Sequence, residues 1–159
     1  MISAPAGAWA ACPGREERMA SIYDLIKDKE THTITADQTV LEAARQMVAN
    51  NIGAIPVLRD GELVGIFSER DIMKRVVAEG CDPARTRISE VMTTSPLVVD
   101  MRESIEHCMM LMKEHSFRHL PICDGKKLKG IVSLRDILLR DLTEKDEEVR
   151  MMRAYIHQS

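Results

Sequence analysis

The chain contains the same segment twice. Gly65-Ile66-Phe67-Ser68-Glu69-Arg70-Asp71-Ile72 returns as Gly130-Ile131-Val132-Ser133-Leu134-Arg135-Asp136-Ile137, displaced by 65 residues. The same displacement carries Val40 to Ile105, Met47 to Met112, Ile55 to Leu120, Pro56 to Pro121 and Arg75 to Arg140. At the turns the match reads one residue short, with Asp60-Gly61 answering Asp124-Gly125. A period this long exceeds the roughly 20–45-residue units of solenoids. It predicts two homologous subdomains, from about Thr33 to Glu79 and from about Leu97 to Leu142. A unit of about 60 residues buries only about 60% of its unfolded surface. The two are therefore expected to pack sheet to sheet, sharing a core and leaving a cleft between them.

Each copy reads β-α-β-β-α, an α+β pattern. A short extended segment comes first: Thr33-Ile34-Thr35 in one copy, Leu97-Val98-Val99 in the other. Val40, Ala43, Ala44, Met47 and Val48 then recur at helical spacing, and Ile105, Cys108, Met109 and Met112 repeat most of that stripe. Thr39 and Glu42 form a capping box. Two apolar strands follow in each copy, Ala54–Leu58 with Glu62–Phe67 and His119–Cys123 with Leu128–Val132. A second helix begins after Ser68 or Ser133, and Gly80 closes the first of these. The segments are residues 1–18 as a flexible tail, 19–82 as the first repeat, 83–142 as linker and second repeat, and 143–159 as a charged helical tail. The chain's start at Met1 is an open point, because the patterned part opens at Met19.

Composition removes several function classes. Aromatics are 3% of residues, too few for the stacking platforms of single-stranded nucleic-acid binders, and a net charge of −3 gives no basic footprint. No apolar run approaches the roughly 20 residues that span a bilayer. Cys12, Cys81, Cys108 and Cys123 form no CxxC pair, which fits a reduced cytoplasm rather than a zinc ribbon. His107 and His115 lack partners at metal spacing, so no metal site is expected. The sequence holds no Walker loop or nucleophile elbow, and no enzymatic activity is expected.

The repeated Gly-Ile-x-Ser-x-Arg-Asp segment sets a strand end directly before a helix start. Ser68 and Ser133 stand at the N-cap, where open backbone N–H groups and the helix dipole attract an anion. Arg70 and Arg135 follow within reach of a phosphate. Asp71 and Asp136 can accept two hydrogen bonds at once, as the 2′ and 3′ hydroxyls of a ribose require. Ser-x-x-Asp is equally a plain capping box, but a capping box needs no arginine, and both copies retain one.

On these residues the chain resembles a tandem pair of cystathionine-β-synthase (CBS) domains, a Bateman module, over roughly Ile22 to Leu142. The Gly-hydrophobic-x-Ser-x-x-Asp segment, the Ile-Pro and Leu-Pro corners and Val91-Met92-Thr93 carry the resemblance, and Phe117 to Pro121 is similar to the small stand-alone bacterial members. It implies two repeats related by a pseudo-twofold axis and two clefts that bind adenosine-type ligands: AMP, ADP, ATP, NADH or S-adenosylmethionine. One site would combine Thr33, Ile52, Gly53 and Ala54 with Ser133, Arg135 and Asp136. The other would combine Leu97, Phe117, Arg118 and His119 with Ser68, Arg70 and Asp71. Lys29, Arg118 and His119 would add positive charge at the phosphates, making the second site the more electropositive. The implied function is a non-catalytic regulatory sensor, homodimeric, acting on an unknown effector protein. The alternatives are a dimerisation scaffold with vestigial sites and an S-adenosylmethionine sensor.

Overall fold

The computed structural model describes residues 21–157, apart from the side chains of Tyr155 and His157. The tail expected over residues 1–18 lies outside the described residues. The elements run α1 (Tyr23–Ile26), β1 (Ile34–Thr35), α2 (Val40–Asn50), β2 (Ala54–Arg59), β3 (Glu62–Ser68) and α3 (Glu69–Asp71), which passes directly into a π-helical stretch over Ile72–Val77. They continue with α4 (Ile88–Val91), β4 (Thr93–Thr94), β5 (Val99–Asp100), α5 (Ile105–His115), β6 (His119–Asp124), β7 (Lys127–Ser133) and α6 (Leu134–His157). The result is the α+β repeat pair expected from the sequence. One sheet has the order β1-β2-β3-β4, the other β5-β6-β7. In each, the first strand runs parallel to the second and the hairpin that follows is antiparallel. The sheets meet through β3 and β7.

The two hairpins keep one register to the last residue. Arg59 pairs with Glu62 and Asp124 with Lys127, and a bulge interrupts both ladders at equivalent points, Val57/Leu58 and Ile122/Cys123. The displacement of 65 therefore holds through the turns, and the apparent slip to Asp124-Gly125 is corrected. The turn residues are Asp60-Gly61 and Gly125-Lys126. Asp60 and Gly61 both take positive φ, 52° and 79°, whereas in the second turn only Gly125 does, at 60°. The first is thus of the I′ kind and the second of the II′ kind, two backbones that close equal two-residue hairpins with different sequences.

Two other expectations move. Leu97 and Val98 precede the β5 ladder, which starts at Val99, and both are exposed. The parallel pairing reaches only Val99–Ile122 and Asp100–Cys123, the counterparts of Ile34–Val57 and Thr35–Leu58. On α2, Val40, Ala43 and Met47 are buried but Val48 is 81% exposed, so the stripe is narrower than its spacing suggested. The Thr39–Glu42 capping box forms as expected: the Glu42 amide donates to Thr39 Oγ1 and the Thr39 amide to Glu42 Oε2.

Short helices are exchanged between the halves. Ile22 and Ile26, from α1 and the residue before it, sit in the core of the second repeat with Val99, Cys108, Met112, Leu120, Ile122, Val132 and Ile137. Ile88 and Val91, from α4, sit in the core of the first repeat with Val40, Met47, Ile55, Val57 and Phe67. The Ile22 amide donates to the Glu103 carbonyl, and Ile88 to Gln38. Glycine permits the close approach. A Cβ on Gly65 would lie 2.6 Å from Met92 Sδ, and one on Gly130 2.7 Å from Ile26 Cδ1. The packing units are therefore not the consecutive blocks 19–82 and 83–142.

The segment after Leu142 does not fold back. α6 runs as one helix from Leu134 to His157, its first turns in the second core through Leu134 and Ile137 and its later residues exposed.

Candidate functional site

Both repeated segments build the same corner. Ala54 pairs with Ser68, and His119 with Ser133, so each second strand starts where its partner strand ends and a helix begins. The Glu69 amide donates to the Gly53 carbonyl at 3.0 Å and the Leu134 amide to the Arg118 carbonyl at 2.8 Å. Each serine then caps its helix. Ser68 donates from its amide and hydroxyl to Asp71 Oδ2 at 2.9 and 2.8 Å, and Ser133 does the same to Asp136 Oδ2 at 3.0 and 2.8 Å. One carboxylate oxygen of each aspartate is thus committed to the cap. Oδ1 of each remains, with two lone-pair directions to accept hydrogen bonds.

A cavity of about 1180 Å³ lies between the repeats. It takes Ile52, Gly53 and Ala54 from the first repeat and Ser133, Arg135 and Asp136 from the second, together with Lys29. Of the first residue set only Thr33 stands apart, its carbonyl accepting from Gln46 Nε2. Arg118 and His119, grouped in the sequence with the second site, line this same cavity. The reason is the strand pairing just described: His119 pairs with Ser133, so it and Arg118 belong to the same corner as the serine that lines the cavity. A Cβ added to Gly53 would lie 3.3 Å from His119 Cε1, so the two corners touch. Ser68, Arg70, Asp71, Leu97 and Phe117 do not line it. Arg70 instead donates to the Ser116 carbonyl at 3.0 Å, across the repeat boundary, and Phe117 stacks on His115.

The cavity is electrically mixed. Lys29, Arg118 and Arg135 face it together with Glu30, Glu69 and Asp136. The charge of Arg118, expected at the site with Ser68 and Asp71, is thus found in this cavity beside three carboxylates. Lys29 forms an ion pair with Asp136 Oδ1. Burial alone would raise the Asp136 carboxyl, but hydrogen bonds from Lys29 and from the Ser133 amide and hydroxyl outweigh it and hold the group below its usual value. His119 is displaced downward. Its burial disfavours the imidazolium, more strongly than Glu69 and Asp136 favour it, and Arg118 adds to the repulsion. Ala44, Met47, Val48 and Ile72 supply an apolar wall, and Leu138, Leu139 and Leu142 of α6 form a second one. This arrangement suits a flat apolar group held by the walls, with polar substituents met by Asp136 and the cations.

The sequence reading missed Glu30, Glu69 and the three leucines. Glu69 sits inside the repeated segment at one of its two variable positions, where the other copy has Leu134, so the repeat comparison leaves it unconstrained. Leu138, Leu139 and Leu142 lie beyond the repeated segment, which ends at Ile137.

The CBS-domain family model matches residues 22–78 and 88–142. A CBS domain-containing protein of Bacillus subtilis, YhcV, is 38% identical over 125 residues, covering 79% of this chain and 88% of its own length. Among solved structures, a putative signal-transduction protein with CBS domains from Burkholderia ambifaria aligns with TM-score 0.74 at 32% identity, over 78% of this chain and 95% of that one. A CBS domain pair solved in complex with 5-methylthioadenosine and S-adenosyl-L-methionine aligns with TM-score 0.71 at 26% identity, over 80% and 98%.

Proposed function

The chain belongs to the CBS-domain family, and from that premise we propose that it is a non-catalytic regulatory module binding an adenine nucleotide (AMP, ADP, ATP or NADH) in the cavity between its repeats. The observation that carries this reading is the meeting of Ile52, Gly53 and Ala54 with Lys29, Ser133, Arg135 and Asp136 around one cavity. The base lies against the apolar walls, a ribose hydroxyl donates to Asp136 Oδ1, and Lys29 turns from Asp136 to the phosphate. Lys29 is about half exposed, so the move is inexpensive. A thermal-shift series with AMP, ADP, ATP and NADH tests it. A ligand at 100 times its dissociation constant stabilises by about 2.7 kcal/mol. A nucleotide that raises the melting temperature of the wild type and not of Asp136→Ala supports the reading; no shift with any of the four defeats it.

One observation favours a second reading. Glu30 and Glu69 face the cavity, which suits a ligand carrying positive charge, such as the sulfonium of S-adenosylmethionine. Stabilisation by that compound, retained by Lys29→Met but lost in Glu69→Gln, would select it over the nucleotides.

The same proposal includes a homodimer in the cytoplasm, signalling to an effector protein. It is supported by unpaired Cys81, Cys108 and Cys123 and by exposed Val48, Met73, Val77, Met110 and Leu139 on the helices. No helix among the described residues is long and apolar enough to cross a membrane.

A further inference from the structure

We infer that Lys29 is a latch on Asp136 that makes the cavity select a phosphorylated adenosine over an unphosphorylated one. The inference rests on reading the cavity as an adenine-nucleotide site and adds what decides among its ligands. Lys29 ends the turn after α1, its amide donating to the Ile26 carbonyl at 2.9 Å. Ile26 is buried in the core of the second repeat, so the backbone of Lys29 is fixed on the side of Asp136. Its side chain is half-exposed and reaches Asp136 Oδ1, 107 residues away in sequence.

The pair is not a feature of the repeat. The displacement of 65 residues sets α1 on α4 and Lys29 on Thr94, an uncharged residue of β4. At the other corner Arg75 lies 3.5 Å from Asp71 Oδ1. Its counterpart Arg140 donates to Glu144 instead, which leaves Asp136 Oδ1 to Lys29. Among the described residues, Asp136 is the one cavity carboxylate engaged in an ion pair.

Asp136 Oδ2 already accepts twice from Ser133, so a ribose meets Oδ1. Its 2′ and 3′ hydroxyls together require both lone-pair directions of that oxygen, and the ammonium takes one. An unphosphorylated adenosine must send Lys29 into solvent and offers nothing in exchange. A phosphorylated one supplies the anion to which the ammonium transfers, in a charge-assisted contact stronger than the exposed pair it leaves. Arg118 and Arg135 also face the cavity and attract a phosphate, but neither releases a carboxylate by moving. Lys29 alone couples the phosphate to the ribose hydroxyls.

Calorimetric titration of adenosine and of AMP into the full chain and into Lys29→Met tests the latch. The wild type should bind AMP more tightly than adenosine by about tenfold or more. In Lys29→Met the two should move in opposite directions. Adenosine should bind about two- to fivefold more tightly, because Asp136 is released, and AMP about tenfold more weakly, because its partner is lost. A variant that weakens AMP and leaves adenosine unchanged overturns the latch and makes Lys29 a plain phosphate contact; the nucleotide reading survives that result. Neither compound binding to either chain defeats the nucleotide reading and the latch with it.

Discussion

The two Ser-x-Arg-Asp corners share one local structure and have different surroundings. In both, the serine amide and hydroxyl bond the aspartate three residues on, and the aspartate closes a capping box. Beyond that they diverge. Asp71 Oδ1 lies 3.5 Å from Arg75 of its own helix, and Arg75 in turn donates to the Val91 carbonyl. Arg70 is occupied by the Ser116 carbonyl. Asp136 Oδ1 instead faces Lys29, brought in from the turn after α1, and Arg135 opens onto the cavity. A motif thus guarantees the helix start that its own residues can make. Whether the remaining oxygen and guanidinium serve a ligand depends on neighbours outside the segment, four residues on for Asp71 and Arg75, 46 away for Arg70 and Ser116, and 107 away for Lys29 and Asp136.

The contrast has a direct test. Asp136→Ala should weaken the ligand of this cavity by about a hundredfold, or about 2.7 kcal/mol, while Asp71→Ala leaves that binding event within about twofold. Both should lose about 1 kcal/mol of stability with their caps. Calorimetric titration of the two variants decides; equal losses would erase the distinction between the corners.

Exchanging residues at the touching point sharpens it. Gly53→Val introduces a side chain against His119 and Glu69 and should cost about 1 to 2 kcal/mol by overpacking. The equivalent Arg118→Gly removes an exposed side chain and should stay within about 0.5 kcal/mol. Denaturant melts compare the two.

The last two tests use pH. A carboxyl held low in the fold contributes stability above its unfolded value of about 3.9 and loses it as pH falls through the lower folded value. Lys29→Met should therefore melt slightly below the wild type at neutral pH, by less than about 1 kcal/mol for so exposed a pair, and the gap should close in acid. The smallest effect belongs to His119. Its depressed value makes the fold lose stability as pH drops below about 6.5, and His119→Ala, which copies Ala54, should flatten that slope. A slope unchanged by the substitution would mean that His119 titrates as it does in the unfolded chain.

Much of this was legible in the sequence. The repeat gave the architecture, and β2, β3, β6 and β7 extend only one residue beyond their expected ends in each case where they differ. Ile52, Gly53 and Ala54, which the family resemblance groups with Ser133, Arg135 and Asp136, line one cavity with them. Four-residue helices such as α1 and α4 were not legible, because so short a run has no measurable period. The π-helical turn over Ile72–Val77 follows a sequence that reads as ordinary helix. Arg118 and His119, grouped through the resemblance with Ser68, Arg70 and Asp71, line the cavity of Asp136 because His119 pairs with Ser133 in the β6–β7 hairpin.

The exchange of α1 and α4 has a consequence for how the chain is made. The Ile22 amide finds its partner at Glu103, and the core holding Ile22 is completed only by Val132 and Ile137. Emerging from a ribosome, α1 waits until Val132 and Ile137 have been made before its binding surface exists. Contacts of such wide sequence separation slow folding, since a long loop must close before they are rewarded. The first half is released with its α1 residues unburied, and a nascent chain halted before Ile137 is left without the buried residue that completes that second core.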